Sequence, residues 1–193
     1  MGKVTTGFSM SLDGFVSGPN HDVQQVFSWF GMGDTDYTFP SGAFTLKVSP
    51  QSADMLTQAM QSAGVLVTGR NIFDGTQGWG GRHPMDVPVI VVTHSIPDDW
   101  PNDGKPFTFV TDGVESAIEQ AQKIAGDKDV VVGAPSVVKQ CLKLGLLDEI
   151  HVDLVPFLLG DGVRLFDETP VAMEIVRVIE GTGVTHLTYR IMK

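Results

Sequence analysis

Apolar and small polar residues alternate from Lys3 to Leu12. Val4, Thr6, Phe8, Met10 and Leu12 fall on one face, and Thr5, Gly7, Ser9 and Ser11 on the other. A period of two predicts a β-strand. The second face carries only small side chains, and two readings stand for it: a flat ligand lying close to the strand, or a closely packed helix. Asp13-Gly14 breaks the strand and Gly18-Pro19-Asn20 marks a turn. From His21 to Val48 the periodicity is weak, with Phe27, Trp29, Phe30, Tyr37, Phe39 and Phe44 scattered among glycines and polar residues. Such a stretch reads as a lid, a binding loop or a partner interface.

The pattern then becomes regular. Ser49-Pro50 reads as the cap and first residue of a helix, with Leu56, Ala59, Met60 and Ala63 at helical spacing and Gly64 as the stop. Val65 to Val67 is a short buried strand, turned by Gly69-Arg70 into a helix from Asn71 to Thr76. A glycine-rich loop through Trp79 leads to strands at Val89 to Thr93 and Phe107 to Val110. Asp112-Gly113-Val114-Glu115 reads as a capping box, Val114, Ala117, Ile118, Ala121, Ile124 and Ala125 as one apolar stripe, and Gly126 as its end. The strand Val130 to Val132 enters a helix at Pro135, whose buried face is Val137, Val138, Cys141 and Leu142. Glu149 to Leu159 follows, then strands at Glu174 to Ile179 and Val184 to Ile191.

Strands alternating with helices predict a single α/β domain of three layers. Its central sheet is mainly parallel with an antiparallel C-terminal edge, and helices cover both faces. In such sheets ligands sit beyond the carboxyl ends of the strands.

Charge restricts the partners. Thirteen basic against twenty-three acidic residues give a net charge of −10, which repels nucleic-acid phosphates and anionic lipid. An anionic ligand must be held by local devices. The single cysteine, Cys141, cannot form an internal disulfide, which fits a reducing cytoplasm. The apolar runs are too short to span a bilayer. Histidines 21, 83, 94, 151 and 186 lack paired ligand spacing, so no metal is expected. His151 and His186, within strands, read as structural. The sequence holds no nucleophile elbow, zinc-deaminase signature, three-glycine dinucleotide fingerprint or Walker motif.

Three strand ends carry candidate chemistry. At Thr68-Gly69-Arg70-Asn71, Gly69 permits a tight turn, a helix start offers free N–H groups and Arg70 adds fixed charge. The combination suits a phosphate. Thr93-His94-Ser95 offers hydroxyls and an imidazole for a ribose, a phosphate or an adenine edge. At Gly133-Ala134-Pro135-Ser136-Val137 the proline lacks an N–H, so donors come from neighbouring backbone and the Ser136 hydroxyl.

Five blocks in order carry a family likeness: Ser11-Leu12-Asp13-Gly14-Phe15, Val67-Thr68-Gly69-Arg70, Pro88 to His94, Val131 to Pro135 with Gly145 to Ile150, and Val155 to Gly162 with Leu165-Phe166. Together they resemble the dihydrofolate-reductase-like family, and within it the C-terminal reductase domain of the riboflavin-biosynthesis deaminase-reductase. The resemblance implies an NADPH-dependent reductase of a small pterin-like or pyrimidine-like heterocycle. It implies that Gly69, Arg70 and Asn71 meet the cofactor's phosphates, with Arg70 on the 2′-phosphate. Thr93, His94 and Ser95 match its adenosine-side segment, and Gly133 to Val137 its pyrophosphate loop. Ala134-Pro135 departs from the consecutive glycines common in the family and restricts backbone approach.

For catalysis the candidates are Asp13, matching the family's Asp-Gly, and Asp54, near the position of a substrate-binding carboxylate. Their plainer readings are a turn aspartate and a helix N-terminal acid. Trp79 could stack on a ring or belong to the core. The rival functions are a non-catalytic nucleotide-binding or regulatory protein and a flavin-binding module. The resemblance also implies a homodimer paired through the sheets, to which the apolar Val152 to Leu159 segment adds slight support.

Overall fold

The computed structural model describes residues 2–98, 106–166 and 169–193. In chain order the elements are β1 (Val4–Ser11), β2 (Phe15–Ser17), β3 (Thr35–Thr38), β4 (Thr45–Val48), α1 (Pro50–Ser62), β5 (Ala63–Gly69) and α2 (Arg70–Gly75). They continue with β6 (Val89–Val92), β7 (Phe107–Val110), α3 (Val114–Ala125), β8 (Asp129–Val132) and α4 (Pro135–Lys143). The chain finishes with β9 (Glu149–Val155), β10 (Val163–Arg164), β11 (Met173–Gly181) and β12 (Val184–Ile191).

Eight strands form one sheet in the order β11-β12-β9-β1-β8-β5-β6-β7. The pairings from β9 through β7 are parallel, and β12 joins β9 and β11 antiparallel. This is the expected α/β architecture with its antiparallel C-terminal edge. Val65 and Val67 on β5 point to the face covered by Ala117, Ile118 and Ala121 of α3 and Val137, Val138 and Cys141 of α4. Leu66, alternating with them, faces Phe73 of α2 with Val89 and Val91. Helices therefore cover both faces.

Local signals acted as read at two helices. Ser49 caps α1, its hydroxyl accepting the Ser52 N–H at 3.2 Å. Pro135 opens α4, where its missing N–H costs nothing. The cap of α3 differs from expectation. Gly113 stands at the N-cap with φ +97° and no side-chain cap bond forms, while Asp112 accepts instead from the Thr111 hydroxyl at 3.4 Å. The +97° torsion is cheap only for glycine, and it moves the Asp112 carboxylate off the helix end.

The weakly patterned stretch carries the β3–β4 hairpin and a core of its own. Trp29, 1% exposed, is surrounded by Val26, Tyr37, Leu46, Val48, Leu56, Val155 and Val184. Its indole N–H donates to Ser9 Oγ at 3.0 Å. An aromatic ring does meet the small-residue face of β1, but the ring belongs to this chain. Two residues away on the same face, Gly7 is exposed although β8 and β9 flank its strand on both sides.

The Val152 to Leu159 segment also differs from expectation. Its first part is β9, an inner strand with Val152 and Val155 buried. Beyond it Pro156, Phe157 and Leu158 are exposed.

Candidate functional site

The order β8-β5-β6 sets three parallel strands side by side. Val67 pairs with Val132, and Gly69 with Val92, so the turns at 69–71, 93–95 and 133–137 leave the same end of the sheet at nearly the same level. A side chain joins the first two. Arg70 Nη1 donates to the Ser95 carbonyl at 3.1 Å, tying the first turn to the second. The first turn also lies near the third: a Cβ built on Gly69 would be in ordinary van der Waals contact with Ala134 Cβ and Ser136 Oγ, each 3.5 Å away. The Ala134 methyl is buried.

Each turn has its own donor chemistry. Thr68 Oγ1, just before Gly69, is buried and without a hydrogen-bond partner among the described residues. A buried hydroxyl without a partner is costly and calls for an explanation. Asn71, His94, Ser95 and Ser136 are exposed. The Thr93 hydroxyl donates to Ser95 O at 2.8 Å and stiffens its turn. At the start of α4, Val137 and Val138 both donate to Ala134 O and Pro135 has no N–H, which concentrates donor capacity on Ser136. A Cβ on Gly133 would come within 2.8 Å of Leu66 Cδ1, the far end of a flexible side chain, so a larger residue there needs Leu66 to turn aside.

Arg70 is less free than its sequence position suggests. Its Nε donates to Asp74 at 2.7 Å, one helical turn away. The guanidinium thus stands between a carboxylate, the Ser95 carbonyl and solvent.

The two aspartates expected to act on substrate lie elsewhere. Asp13 spends its carboxylate on the chain itself, accepting from the Ser11 hydroxyl at 2.5 Å, Leu159 N–H at 3.1 Å and Gly160 N–H at 2.7 Å. Those bonds, the Ser11 hydroxyl first among them, hold its pKa down at about 2. It is ionised at neutral pH and fastens the β1–β2 turn to the 157–160 loop. Asp54 is exposed, whereas Ser52, two residues earlier in α1, is the polar side chain turned inward. Trp79 joins the core, packing edge-on to Phe73 and His83 and stacked with Phe107.

The structure also assembles groups that the sequence reading kept apart. His186, 4% exposed, bonds Asp153 Oδ1 through Nδ1 at 2.7 Å and Ser52 Oγ through Nε2 at 2.8 Å. In the tautomer with its hydrogen on Nδ1, that nitrogen donates to Asp153 and Nε2 accepts from the Ser52 hydroxyl. This is the donor order of a serine-hydrolase triad. Ser52 is wholly buried, however, and Gly181 lies against its hydroxyl. No substrate carbonyl reaches it, and the chain of bonds clamps α1 onto β9 and β12. Beside it His151 bonds Thr188 Oγ1 at 3.2 Å, and burial lowers its pKa below the usual histidine value. Strand alternation alone would have put Glu149, His151 and Asp153 on one face.

Comparison with known proteins agrees with this geometry. The family model described as RibD C-terminal domain matches residues 2–187. A riboflavin biosynthesis protein structure from Shewanella sp. PV-4 superposes with a TM-score of 0.74 at 19% identity, covering 99% of each chain. The Saccharomyces cerevisiae riboflavin biosynthesis reductase superposes with a TM-score of 0.65 at 13% identity, over 99% of this chain and 90% of that one. Dihydrofolate reductase from Enterococcus faecalis, solved with NADP(H), gives 0.54 at 16% identity over 99% and 97%. The fold is therefore dihydrofolate-reductase-like, and by the match across nearly its whole length the chain belongs to the RibD C-terminal domain family.

Proposed function

We propose that this chain is an NADPH-dependent reductase of a small pterin-like or pyrimidine-like heterocycle. One observation carries the reading: three turns that the sequence separates by tens of residues meet at one end of adjacent parallel strands, with Arg70 bonded to Ser95 and Gly69 close to Ala134. The residues fit a dinucleotide. The partnerless Thr68 hydroxyl, the Ser136 hydroxyl and Arg70 form a donor set of the kind a polyanion needs on a protein of net charge −10. The Ala134 methyl, the departure from the family's glycines, is buried near Gly69 and so need not oppose the cofactor.

In this reading Gly69, Arg70 and Asn71 hold phosphate, with Arg70 on the 2′-phosphate. Thr93, His94 and Ser95 hold the adenosine side, and Gly133 to Val137 the pyrophosphate. The cofactor supplies the hydride. The chain binds, aligns and excludes water, and exposed Gly7 leaves room over the centre of the sheet for a flat ring. Isothermal titration of NADPH and NADH tests the reading. Saturable binding with a clear preference for NADPH is expected, and no binding of either by folded protein would overturn it.

A second reading, a non-catalytic nucleotide-binding protein, is favoured by the two aspartates. Asp13 is held ionised by its bonds to the chain, which disfavours it as a proton donor, and Asp54 stands exposed early in α1. Bound NADPH that is never oxidised across a broad heterocycle panel decides for it.

A further inference from the structure

The sheet face beneath α1 holds a polar cluster that the strand-end turns do not use. His151 and Asp153 project from the same face of β9. Register carries the cluster across the antiparallel edge: Asp153 pairs with His186 and His151 with Thr188, and Thr188 pairs with Arg177 on β11. Between these strands and α1 lies a cavity of about 220 Å³, whose walls include His151, Asp153 and Arg177 from the sheet, Met55 and Ala59 from α1, and Ile179.

Its polar walls are pre-set. Asp153 is oriented by His186 at 2.7 Å. Arg177 Nη1 donates to Gln58 Oε1 at 2.8 Å, and a guanidinium with five N–H donors retains capacity for a carboxylate beyond that single bond. Strand order β9-β12-β11 puts two strand spacings between Asp153 and Arg177, and the register adds an offset of two residues along the strands, about 12 Å between backbones in all, which the two side chains shorten from either end. His151, neutral at pH 7 because burial lowers its pKa, adds no charge between them. Met55, Ala59 and Ile179 give the remaining wall an apolar surface.

Charge and size together select the ligand. A lone anion would be repelled by Asp153 and a lone cation by Arg177. A zwitterion meets both. Among the described residues no group of side chains is arranged to hold a metal ion. The volume equals about seven waters at ~30 Å³ each, well under the ~300–1,000 Å³ of sites for drug-sized molecules. We propose that the cavity between α1 and strands β9, β12 and β11 binds a free α-amino acid with an aliphatic side chain: ammonium on Asp153, carboxylate on Arg177, side chain against Met55, Ala59 and Ile179. This site is separate from the strand-end turns and does not rest on the reductase reading.

The test is isothermal titration of the full chain with leucine, N-acetylleucine and leucinamide. Leucine binds saturably in the millimolar range or tighter, and removing either ligand charge weakens binding by about tenfold or more. Arg177→Gln, at an exposed position, reproduces the loss for leucine while leaving the melting temperature unchanged. Ala59→Trp fills the cavity and abolishes binding, with folding checked by circular dichroism and NADPH titration unaltered. Equal affinity for the acetylated or amidated probe overturns the proposal. So does a failure of folded wild-type protein to bind leucine, isoleucine, valine or methionine, or unchanged binding in Arg177→Gln.

Discussion

Arg70 and Asp74 are locked together, Nε lying 2.7 Å from each carboxylate oxygen. An exposed i,i+4 pair of this kind contributes well under about 1 kcal/mol to folding, yet it decides how much positive charge the first turn presents. Asp74 competes with any phosphate for the same guanidinium. Arg70→Ala is expected to weaken NADPH binding by about 10- to 100-fold, the loss of ~1.5–3 kcal/mol of charge-assisted hydrogen bonding, with NADH affinity nearly unchanged. Asp74→Asn acts oppositely and tightens NADPH by a few-fold. Equal effects on the two cofactors would reject the 2′-phosphate assignment.

The Ser52–His186–Asp153 chain is expected to behave as a clamp and not as a nucleophile. Ser52→Ala leaves His186 Nε2 buried without its partner, at a cost of about 1–3 kcal/mol. For a chain of this length that corresponds to roughly 2–4 °C of melting temperature per kcal/mol. A fluorophosphonate should label no serine at position 52, by intact mass and peptide mapping. Labelling there would show that the buried hydroxyl is reachable.

Acid should weaken the fold in two separable windows. His83 is held down to about 4 by burial, against about 6.5 unfolded. The unfolded chain binds that proton first, so stability present above pH 6.5 falls as pH drops towards 4. Asp13 is held at about 2 against 3.8, so its contribution persists to lower pH and fades as pH falls from 3.8 towards 2. Thermal melts of His83→Phe should flatten only the upper window and those of Asp13→Asn only the lower. His151, shifted in the same direction as His83, leaves a residual slope in the upper one.

Gly133 is expected to resist substitution for a reason of packing. Its Cβ would stand 2.8 Å from Leu66 Cδ1, the far end of a flexible side chain that can turn aside, so Gly133→Ala costs about 1 kcal/mol, the low end for overpacking. Leu66→Val in the same chain should recover part of that loss by withdrawing the obstructing methyl. Chemical denaturation of the two variants measures both numbers, and simple additivity would dismiss the contact.

Much of the framework was legible because short-range rules governed it. Ser49 at the α1 cap, Pro135 at the α4 start and the stripe of Ala117, Ile118 and Ala121 each acted as propensity dictates. The strand-end turns could be chosen as candidates because any parallel sheet gathers its carboxyl ends. Asp54 stands exposed early in α1 while Ser52 takes the buried face, because two positions on a helix differ by about 200°. The β3–β4 hairpin escaped notice because strands of four residues on a satellite sheet carry too little alternation. The clamp was unreadable for another reason. Ser52 and His186 are 134 residues apart and Asp153 lies 33 from His186, and nothing local announces a pairing over such spans.

Trp29, rooted against Ser9 with its ring edge on His186 at 5.2 Å between centroids, is the central post of the aromatic-rich stretch, with Val26, Tyr37, Leu46 and Val48 buried around it. A ring seeking the middle of the sheet must therefore slip in beside that post, over Gly7, since lifting the whole stretch would mean uprooting a core.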